Sequence, residues 1–278
     1  MEEQSLREAH PNLRAIVVVA AMLISAEAAL GDWDSDQPSL FNQLPDLSGW
    51  DVSSVWGTGP LANEGYGAAN DWTATTAAAV TGIHFWGSWK SDYVGQTNQI
   101  LIQIFSNDTS DPALPRPDEL LWKRVIDHGE YTGRIYHSGS NDLGSYDPRG
   151  INTWRDNNHD KMYQYSIPFI TDPFIQEAGQ TYWLSISMDV DGGEWGWNTS
   201  LDVEGNSSVF WDSDNVWGPH SNWWRQSEIE WKWTQLKTPN GWNDPRTPLD
   251  LAFVITPEPA TLFLLAFGAA AVLRKHSR

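Results

Sequence analysis

Hydrophobic and polar side chains alternate along most of the central part of the chain. In residues 80–89, Ile83 and Phe85 fall on one face of an extended chain, and His84 and Trp86 fall on the other. The same period of two recurs at residues 100–104, 120–126, 132–136, 163–170, 181–190, 208–211, 228–236 and 249–255. Such alternation is typical of β-strands. Because Gly, Pro, Asn and Asp clusters separate about ten such segments, the pattern predicts an all-β domain, an antiparallel β-sandwich or jelly roll.

Two stretches of the body lack this alternation. Residues 108–118 (DTSDPALPRPD) are rich in proline, and residues 138–160 are polar and show no period. Both are predicted to be loops, and loops of this length are functional or mobile in compact domains.

An uninterrupted hydrophobic run lies near the beginning of the chain. Residues 15–24 (AIVVVAAMLI) follow Arg14, and Ala26-Glu27-Ala28 supplies the small-x-small pattern of a cleavage site. We therefore predict a signal peptide with a helical hydrophobic region at residues 1–28, cleaved after Ala28. The alternative is a transmembrane anchor, for which ten apolar residues are too few.

A second hydrophobic run lies near the end of the chain. Pro257, Glu258 and Pro259 precede residues 260–273, which contain no charge, and Arg274 and Lys275 follow. As a helix this run is about 21 Å long, shorter than the roughly 30 Å hydrocarbon core of a membrane. The basic end is expected to stay cytoplasmic, with the body outside. The alternative is a short buried helix, which would normally show a polar face.

The tail at residues 257–278 resembles the PEP-CTERM sorting signal, a bacterial tail recognised by exosortase. The match rests on the PEPAT opening, the Ala-, Leu-, Gly- and Phe-rich helix and the basic end. The resemblance implies an exported protein that the C-terminal helix anchors transiently in the inner membrane. It further implies cleavage near the Pro-Glu-Pro motif, delivery to the cell surface or the exterior, and exosortase as a partner.

The body, residues 29–256, resembles an uncharacterised domain that recurs in secreted bacterial proteins with this tail. The similarity rests on FWGSW at 85–89, ELLW at 119–122, TYWLSI at 181–186, GWNTSL at 196–201 and LDLAFVI at 249–255. It implies a β-fold and no known activity.

The charge balance limits the partners of the protein. Seventeen Lys and Arg residues against 36 Asp and Glu residues give a net charge of −19, and cysteine is absent. Such a field repels nucleic acids and anionic lipid surfaces. We therefore expect no nucleic-acid partner and membrane contact only through the terminal segments. Without cysteine, packing rather than disulfides must stabilise the exported domain.

Tryptophan is the most distinctive residue of the body, with 18 in the chain. Five of them lie in segments rich in Gly, Asn and Asp, namely Trp195, Trp197, Trp217, Trp223 and Trp224. Flat indole faces beside carboxylates and amides suit the binding of sugar rings. These five are the candidate carbohydrate-binding residues. The alternative assigns them to the hydrophobic core, where large aromatic side chains contribute much of the buried area.

Acidic residues near a predicted turn form a candidate metal site. Asp189, Asp191 and Glu194 flank two glycines, and carboxylate oxygens are the ligands that Ca²⁺ prefers. The segment predicts a calcium site, although Glu194 stands where the EF-hand loop requires glycine. The alternative is a turn stabilised by local backbone hydrogen bonds.

Motifs for catalysis or cofactor binding are absent from the sequence: HExxH, Gly-x-Ser-x-Gly and phosphate-binding loops do not occur. We therefore predict a non-catalytic, surface-sorted protein of the envelope or exopolysaccharide matrix that binds polysaccharide. The alternatives are a purely structural or protein-interaction module and, third, a glycoside hydrolase-like enzyme, which needs only two suitably spaced carboxylates.

Overall fold

The structure is a computed structural model that describes residues 32–56, 66–112, 115–148, 154–201, 205–212, 233–239 and 247–257. The regular structure in these ranges is β-strand apart from one 3₁₀ turn, Lys90–Asp92. The predicted signal helix and C-terminal helix lie outside the described residues. Within the described ranges, no helix has the length and apolar character needed to cross a membrane.

The strands, in chain order, are β1 (Phe41–Gln43), β2 (Trp50–Ser53), β3 (Tyr66–Thr73), β4 (Ala78–Val80), β5 (Gly82–Trp89), β6 (Gln96–Asp108), β7 (Arg116–Asp127), β8 (Thr132–Tyr146), β9 (Trp154–Ile167), β10 (Phe174–Gln176), β11 (Thr181–Asp191), β12 (Trp195–Ser200), β13 (Val209–Asp212), β14 (Thr234–Gln235), β15 (Asp250–Leu251) and β16 (Phe253–Thr256).

These strands form two large sheets and one short pair. The eight-stranded sheet has the order β1-β16-β5-β9-β8-β2-β12-β15, the six-stranded sheet has the order β14-β13-β3-β11-β6-β7, and β10 pairs with β4. Neighbouring strands are antiparallel except β2 and β8, which are parallel. The predicted all-β class is therefore confirmed; the eight-stranded sheet is mixed, whereas the six-stranded sheet and the β4–β10 pair are antiparallel.

The eight-stranded sheet closes on itself. In β12, Trp195 lies opposite Trp89 of β5, and Trp197 lies opposite Val52 of β2. Since β5 pairs with β9, β9 with β8, and β8 with β2, these five strands form a closed ring of paired strands. Closure satisfies the backbone groups that an open sheet edge would expose.

The main hydrophobic core lies between the two large sheets. Phe85 and Phe253 from the eight-stranded sheet meet Trp72, Ile102 and Ile186 from the six-stranded sheet. The rings of Trp72 and Phe253 make an edge-to-face contact with centroids 6.3 Å apart. Burial of each such side chain stabilises the fold by about 1.5–3 kcal/mol, and this burial holds the two sheets face to face.

Strand β5 is buried on both faces. All eight of its residues are buried. On the face away from the main core, Trp86 packs against Trp33, Leu143 and Met162. Alternation over residues 80–89 is the usual pattern of a half-buried strand, but β5 is buried on both faces because a second layer of the fold covers its reverse face.

The stretch at residues 138–160, predicted to be a loop, instead supplies the distal halves of β8 and β9. Ser145 and His159 are buried there, whereas Arg155 and Asp156 are exposed. Because the buried face carries polar side chains as well as apolar ones, the hydrophobic alternation that reveals a strand is missing. The shorter predicted loop at 108–118 is confirmed at the described residues 109–112 and 115, whereas Asp108 belongs to β6 and residues 116–118 belong to β7.

Candidate functional site

Two of the predicted carbohydrate-binding tryptophans belong to the core. Trp195 and Trp197 lie on β12, and their exposed fractions are 1% and 0%. Trp195 packs edge-on against Phe85 and Tyr165, while Nε1 of Trp197 donates a hydrogen bond to the carbonyl oxygen of Ala252 at 2.8 Å. These two indoles therefore have no exposed face on which a sugar ring could stack, because strand β12 begins immediately after the turn.

The other three candidates, Trp217, Trp223 and Trp224, lie outside the described residues. Among the tryptophans that the structure describes, eight are buried. Trp183 and Trp233 form part of a separate cluster on the outer face of the six-stranded sheet. The alternative interpretation, in which tryptophan builds the core, therefore accounts for most of the described indoles.

The predicted calcium residues are not brought together. Asp189 is buried on β11, Asp191 is exposed at the end of this strand, and Glu194 forms an ion pair with Lys90 at 2.6 Å. The described part of the chain contains no group of three or more His, Cys, Asp and Glu side chains that could hold a metal ion. The described structure therefore does not group the three residues as the predicted calcium site requires, because Asp189 is buried on the strand while Asp191 is exposed and Glu194 is paired with Lys90.

The glycines of that segment explain its local structure. Gly192 and Gly193 have φ angles of +71° and +74°, which glycine adopts without steric cost. They make the turn between β11 and β12 and allow it to approach residues 90–95 closely. A Cβ atom on Gly95 would overlap the carbonyl oxygen of Gly192, and one on Gly193 would lie 2.6 Å from the carbonyl oxygen of Tyr93.

A polar groove with a volume of about 500 Å³ lies beside this turn. It is lined by Gln96, Thr97, Asn98, Gln99, Asp127, His128 and Asp189. Gln99 of β6 lies opposite Asp127 of β7 and Asp189 of β11. Since the neighbouring Ile100 and Met188 point into the main core, these three polar side chains point to the outer face of the six-stranded sheet. We call this feature the amide groove.

A β-bulge shapes the amide groove. Thr97 pairs with Val190 and Gln99 pairs with Asp189, so that Asn98 is an extra residue in β6. A bulge redirects side chains that would otherwise alternate between the two faces. Asn98 and Gln99 are consecutive, yet both line the groove.

Hydrogen bonds hold the amides of the groove in place. Nε2 of Gln99 donates to Oδ1 of Asp127 at 2.7 Å, and Nε2 of Gln96 donates to Oδ1 of Asn98 at 3.4 Å. The ring of His128 stands edge-on to Tyr131 with centroids 6.2 Å apart. The groove therefore offers several donors and acceptors, two carboxylates and no lysine or arginine among its lining residues.

A second polar cluster lies inside the fold, between strands of the closed ring. Oδ2 of Asp51 lies 3.6 Å from Nε2 of His159. Burial raises the pKa of Asp51 well above its usual range and lowers that of His159 to about 4. Neither residue is more than 2% exposed, and the hydroxyl of Ser88 donates to Asn198 at 3.0 Å. This cluster is closed to solvent and lacks the serine–histidine hydrogen bond of nucleophilic catalysis.

Comparison with known proteins shows the family of the chain. A protein-family model described as Domain of unknown function (DUF7901) matches residues 39–256. The chain belongs to this family. The DUF7901 domain thus contains both large sheets, the closed ring and the amide groove. A second model, described as the PEP-CTERM protein-sorting motif, matches residues 256–278. No curated protein and no solved structure matches the chain.

These matches confirm the family-level predictions made from the sequence. The PEP-CTERM motif is the recognition signal of exosortase, so the DUF7901 protein is exported, with exosortase as a partner. Of the predicted sorting residues, Pro257 is the one that the structure describes; Glu258, Pro259, Arg274 and Lys275 lie outside the described residues.

Apart from Asp189, which the sequence analysis assigns to a calcium site, the groove residues of the DUF7901 domain are not predicted from the sequence. The run QTNQ at 96–99 places four polar residues directly before the hydrophobic run ILIQIF. This run is the signal that the sequence offers, although polar residues commonly flank strands. These residues line a groove only because of the bulge and because Asp127 and Asp189 lie beside them on other strands.

The close approach of Gly95 to Gly192, beside the amide groove, can be tested by substitution. We expect Gly95→Ala to lower the free energy of unfolding by about 1–3 kcal/mol, because the added methyl group has no space and must displace the backbone. Thermal unfolding followed by circular dichroism measures the effect. Gly133→Ala is the matched control, since its Cβ would lie 3.4 Å from the ring of Tyr165; equal effects of the two substitutions would contradict the close approach.

Proposed function

We propose that the DUF7901 domain of this chain is a non-catalytic component of the cell envelope or the exopolysaccharide matrix, and that it binds carbohydrate in the amide groove. The observation that supports this proposal is the bulge in β6. It places two consecutive amide side chains, Asn98 and Gln99, beside the carboxylates of Asp127 and Asp189.

The chemistry of the lining residues suits a ligand rich in hydroxyl groups. An amide both donates and accepts hydrogen bonds, and a carboxylate accepts them, so that one sugar hydroxyl can donate to one group while accepting from another. The planar groups are already oriented by mutual hydrogen bonds such as that from Gln99 to Asp127. Orientation before binding reduces the entropy lost on association.

The charge of the groove and of the chain favours neutral ligands. The lining contains Asp127 and Asp189 and no lysine or arginine, and the whole chain carries a net charge of −19. Such a field repels polyanions and favours neutral or cationic partners. The destination that we propose, the cell surface or the exterior, is where matrix polysaccharide is found, and the terminal segments are the parts that would contact the membrane on the way.

A purely structural or protein-interaction role is the second candidate. The burial of eight described tryptophans favours it, because an aromatic-rich core explains the composition without any ligand. The two roles differ in what the groove residues do, and this difference can be measured.

The test is affinity electrophoresis of the purified protein in gels containing dextran, hydroxyethyl cellulose or matrix polysaccharide from the producing bacterium, with calcium and with EDTA. We expect retardation, and we expect Asn98→Ala combined with Gln99→Ala to weaken binding about tenfold or more, since each lost hydrogen bond contributes about 0.5–1.5 kcal/mol. Retardation that disappears with EDTA would reinstate a metal ion as part of the site.

Gln180→Ala is the matched control for these amide substitutions. Gln180 is an exposed amide that precedes β11, at the opposite end of this strand from Asp189, roughly 30 Å away at about 3.4 Å per residue. Its substitution should leave binding unchanged. No retardation by any polysaccharide, or equal retardation of the double variant and the wild type, would favour the structural role.

A further inference from the structure

The loop between β5 and β6 is held in a strained conformation. Ser91 and Asp92 have φ angles of 56° and 54°, in the left-handed region that residues other than glycine rarely adopt. Each such residue costs about 1–3 kcal/mol, so that this conformation persists only where its surroundings enforce it. Strain of this kind is concentrated at sites that bind ligands.

Hydrogen bonds to β9 enforce the conformation of this loop. The carboxylate of Asp92 accepts hydrogen bonds from the backbone N–H groups of Asp160 and Lys161 at 3.0 and 3.1 Å. The N–H group of Ser91 donates to Oδ1 of Asn158 at 2.7 Å. The two strained residues are thus fixed to a neighbouring strand.

The β11–β12 turn supports the loop from the other side. The N–H group of Lys90 donates to the carbonyl oxygen of Glu194 at 2.9 Å, and the side chains of these residues form the ion pair described above. Gly95 and Gly193 lack the side chains that would separate the two segments. The loop is therefore fixed between β9 and the turn.

This fixed loop presents an aromatic side chain to solvent. Tyr93 is 67% exposed. One edge of its ring lies over the backbone of Gly192, since a Cβ atom there would be 3.9 Å from Cε1 of Tyr93. The fixed loop thus presents the ring of Tyr93 to water beside Gly192.

Tyr93 stands next to the amide groove. Only Val94 and Gly95 separate it from Gln96, the first residue of the lining. Gln96 lies opposite Asp191, and Asp191 directly precedes Gly192, over which the ring of Tyr93 lies. Both the chain and the strand register therefore place Tyr93 at the end of the groove.

We propose that Tyr93 is the aromatic platform of the carbohydrate site and that the ligand is a neutral polysaccharide of pyranose units with equatorial hydroxyl groups. This inference rests on the proposed function. Pyranoses with equatorial hydroxyls present their C–H groups together on a flat face, which stacks on an aromatic ring. Their hydroxyls then point sideways, where the amides and carboxylates of the groove can meet them. A platform fixed before binding loses little conformational entropy.

The test compares Tyr93→Ala and Tyr93→Phe in affinity electrophoresis with hydroxyethyl cellulose, a neutral polymer of equatorial glucopyranose units, and with alginate, a polyanion. Removal of a stacked ring is expected to weaken binding to hydroxyethyl cellulose by about tenfold or more. Tyr93→Phe keeps the ring and should bind within about twofold of the wild type, since the contribution of stacking is retained. Alginate should cause no retardation.

The exposed aromatic Phe169 supplies the matched control. Its neighbour Ile170 hydrogen-bonds to Thr81, before β5, whereas the Tyr93 loop follows β5, so the two aromatics lie at opposite ends of this strand. Phe169→Ala should bind as the wild type does. Melting temperatures of all variants establish that the fold is retained.

The outcomes separate this inference from the proposed function. If Asn98→Ala with Gln99→Ala weakens binding and Tyr93→Ala does not, carbohydrate binding in the amide groove is supported and the role of Tyr93 as a platform is overturned. If Tyr93→Phe loses as much as Tyr93→Ala, a hydroxyl hydrogen bond rather than stacking is responsible, and the platform is again overturned. If alginate binds as well as hydroxyethyl cellulose, the neutral ligand class is overturned. If the wild type binds no polymer, both proposals fail.

Discussion

Replacing Trp195 by alanine is expected to lower the free energy of unfolding by about 3–5 kcal/mol, the range for large aromatic side chains deleted from a core. Trp195 is almost fully buried and makes edge-to-face contacts with Phe85 and Tyr165. Its indole also covers Gly87 of β5, where a Cβ atom would overlap the ring. Alanine would leave a cavity between β12 and β5, at the pairing that closes the ring of strands.

Urea unfolding followed by circular dichroism measures this effect, since the backbone signal does not depend on the deleted fluorophore. Tyr93→Ala is the control, because the side chain of Tyr93 is mostly in water and its removal should change the free energy of unfolding little. A variant without Trp195 that unfolds like the wild type but no longer binds polysaccharide would restore Trp195 as an exposed platform and contradict its burial.

Acid is expected to destabilise the protein through His84, and His84→Leu should remove this effect. Burial lowers the pKa of His84 to about 3, and Nδ1 has no hydrogen-bond partner among the described residues. The unfolded chain, with a histidine pKa of about 6.5, binds a proton below that pH, while the folded chain does not. Stability is therefore lost as the pH falls from about 6.5 towards about 3.

As the pH falls from 7 to 4, the wild type should lose about 3 kcal/mol more of its free energy of unfolding than His84→Leu does, at about 1.4 kcal/mol per pH unit. Urea unfolding of both proteins at each pH gives the comparison. Other buried groups, including His159 and Asp71, titrate in both proteins and cancel in the difference. A difference that stays constant from pH 7 to pH 4 would show that His84 is protonated in the folded state and that its pKa is not lowered.

Strands with an apolar face could be predicted from the sequence. The alternation in β5, β6 and β11 is visible because isoleucine and aromatic residues recur at every second position, and this periodicity reflects the main core directly. The extent of burial could not be predicted, because it depends on whether a second layer covers the other face. Trp86 shows this point, since its partners Trp33 and Leu143 lie about 50 residues away on either side in the chain.

Strands with polar buried faces could not be predicted. In β3, Asn70 and Asp71 are fully buried. The amide of Asn70 donates to the carbonyl oxygen of Leu251, and the carboxylate of Asp71 accepts hydrogen bonds from Asn206. These partners are more than 100 residues away, so that nothing in the local sequence shows that the polar side chains are satisfied inside the fold.

The candidate site could be predicted from the sequence to a smaller extent than the strands. The sequence predicts a calcium site at Asp189, Asp191 and Glu194, with a turn as the alternative; the structure shows a turn at Gly192 and Gly193, which allows the contact with the Tyr93 loop. The amide groove depends on one extra residue in β6, and a bulge leaves no periodic signal in a sequence. The position of Tyr93 likewise depends on the backbone angles of Ser91 and Asp92, which only the structure shows.

The last strand bears on how the protein would withstand tension at a surface. β16 ends at Thr256, which hydrogen-bonds to Thr81, and the next residue, Pro257, opens the sorting motif. β16 is bonded on both edges, to β1 and to β5, and hydrogen bonds between antiparallel strands run perpendicular to them. A pull on the tail along the strand therefore shears both rows of bonds together instead of unzipping them one at a time. Any anchorage through this tail would therefore transmit drag from the surrounding polymer into β16 and, through it, into both neighbouring strands.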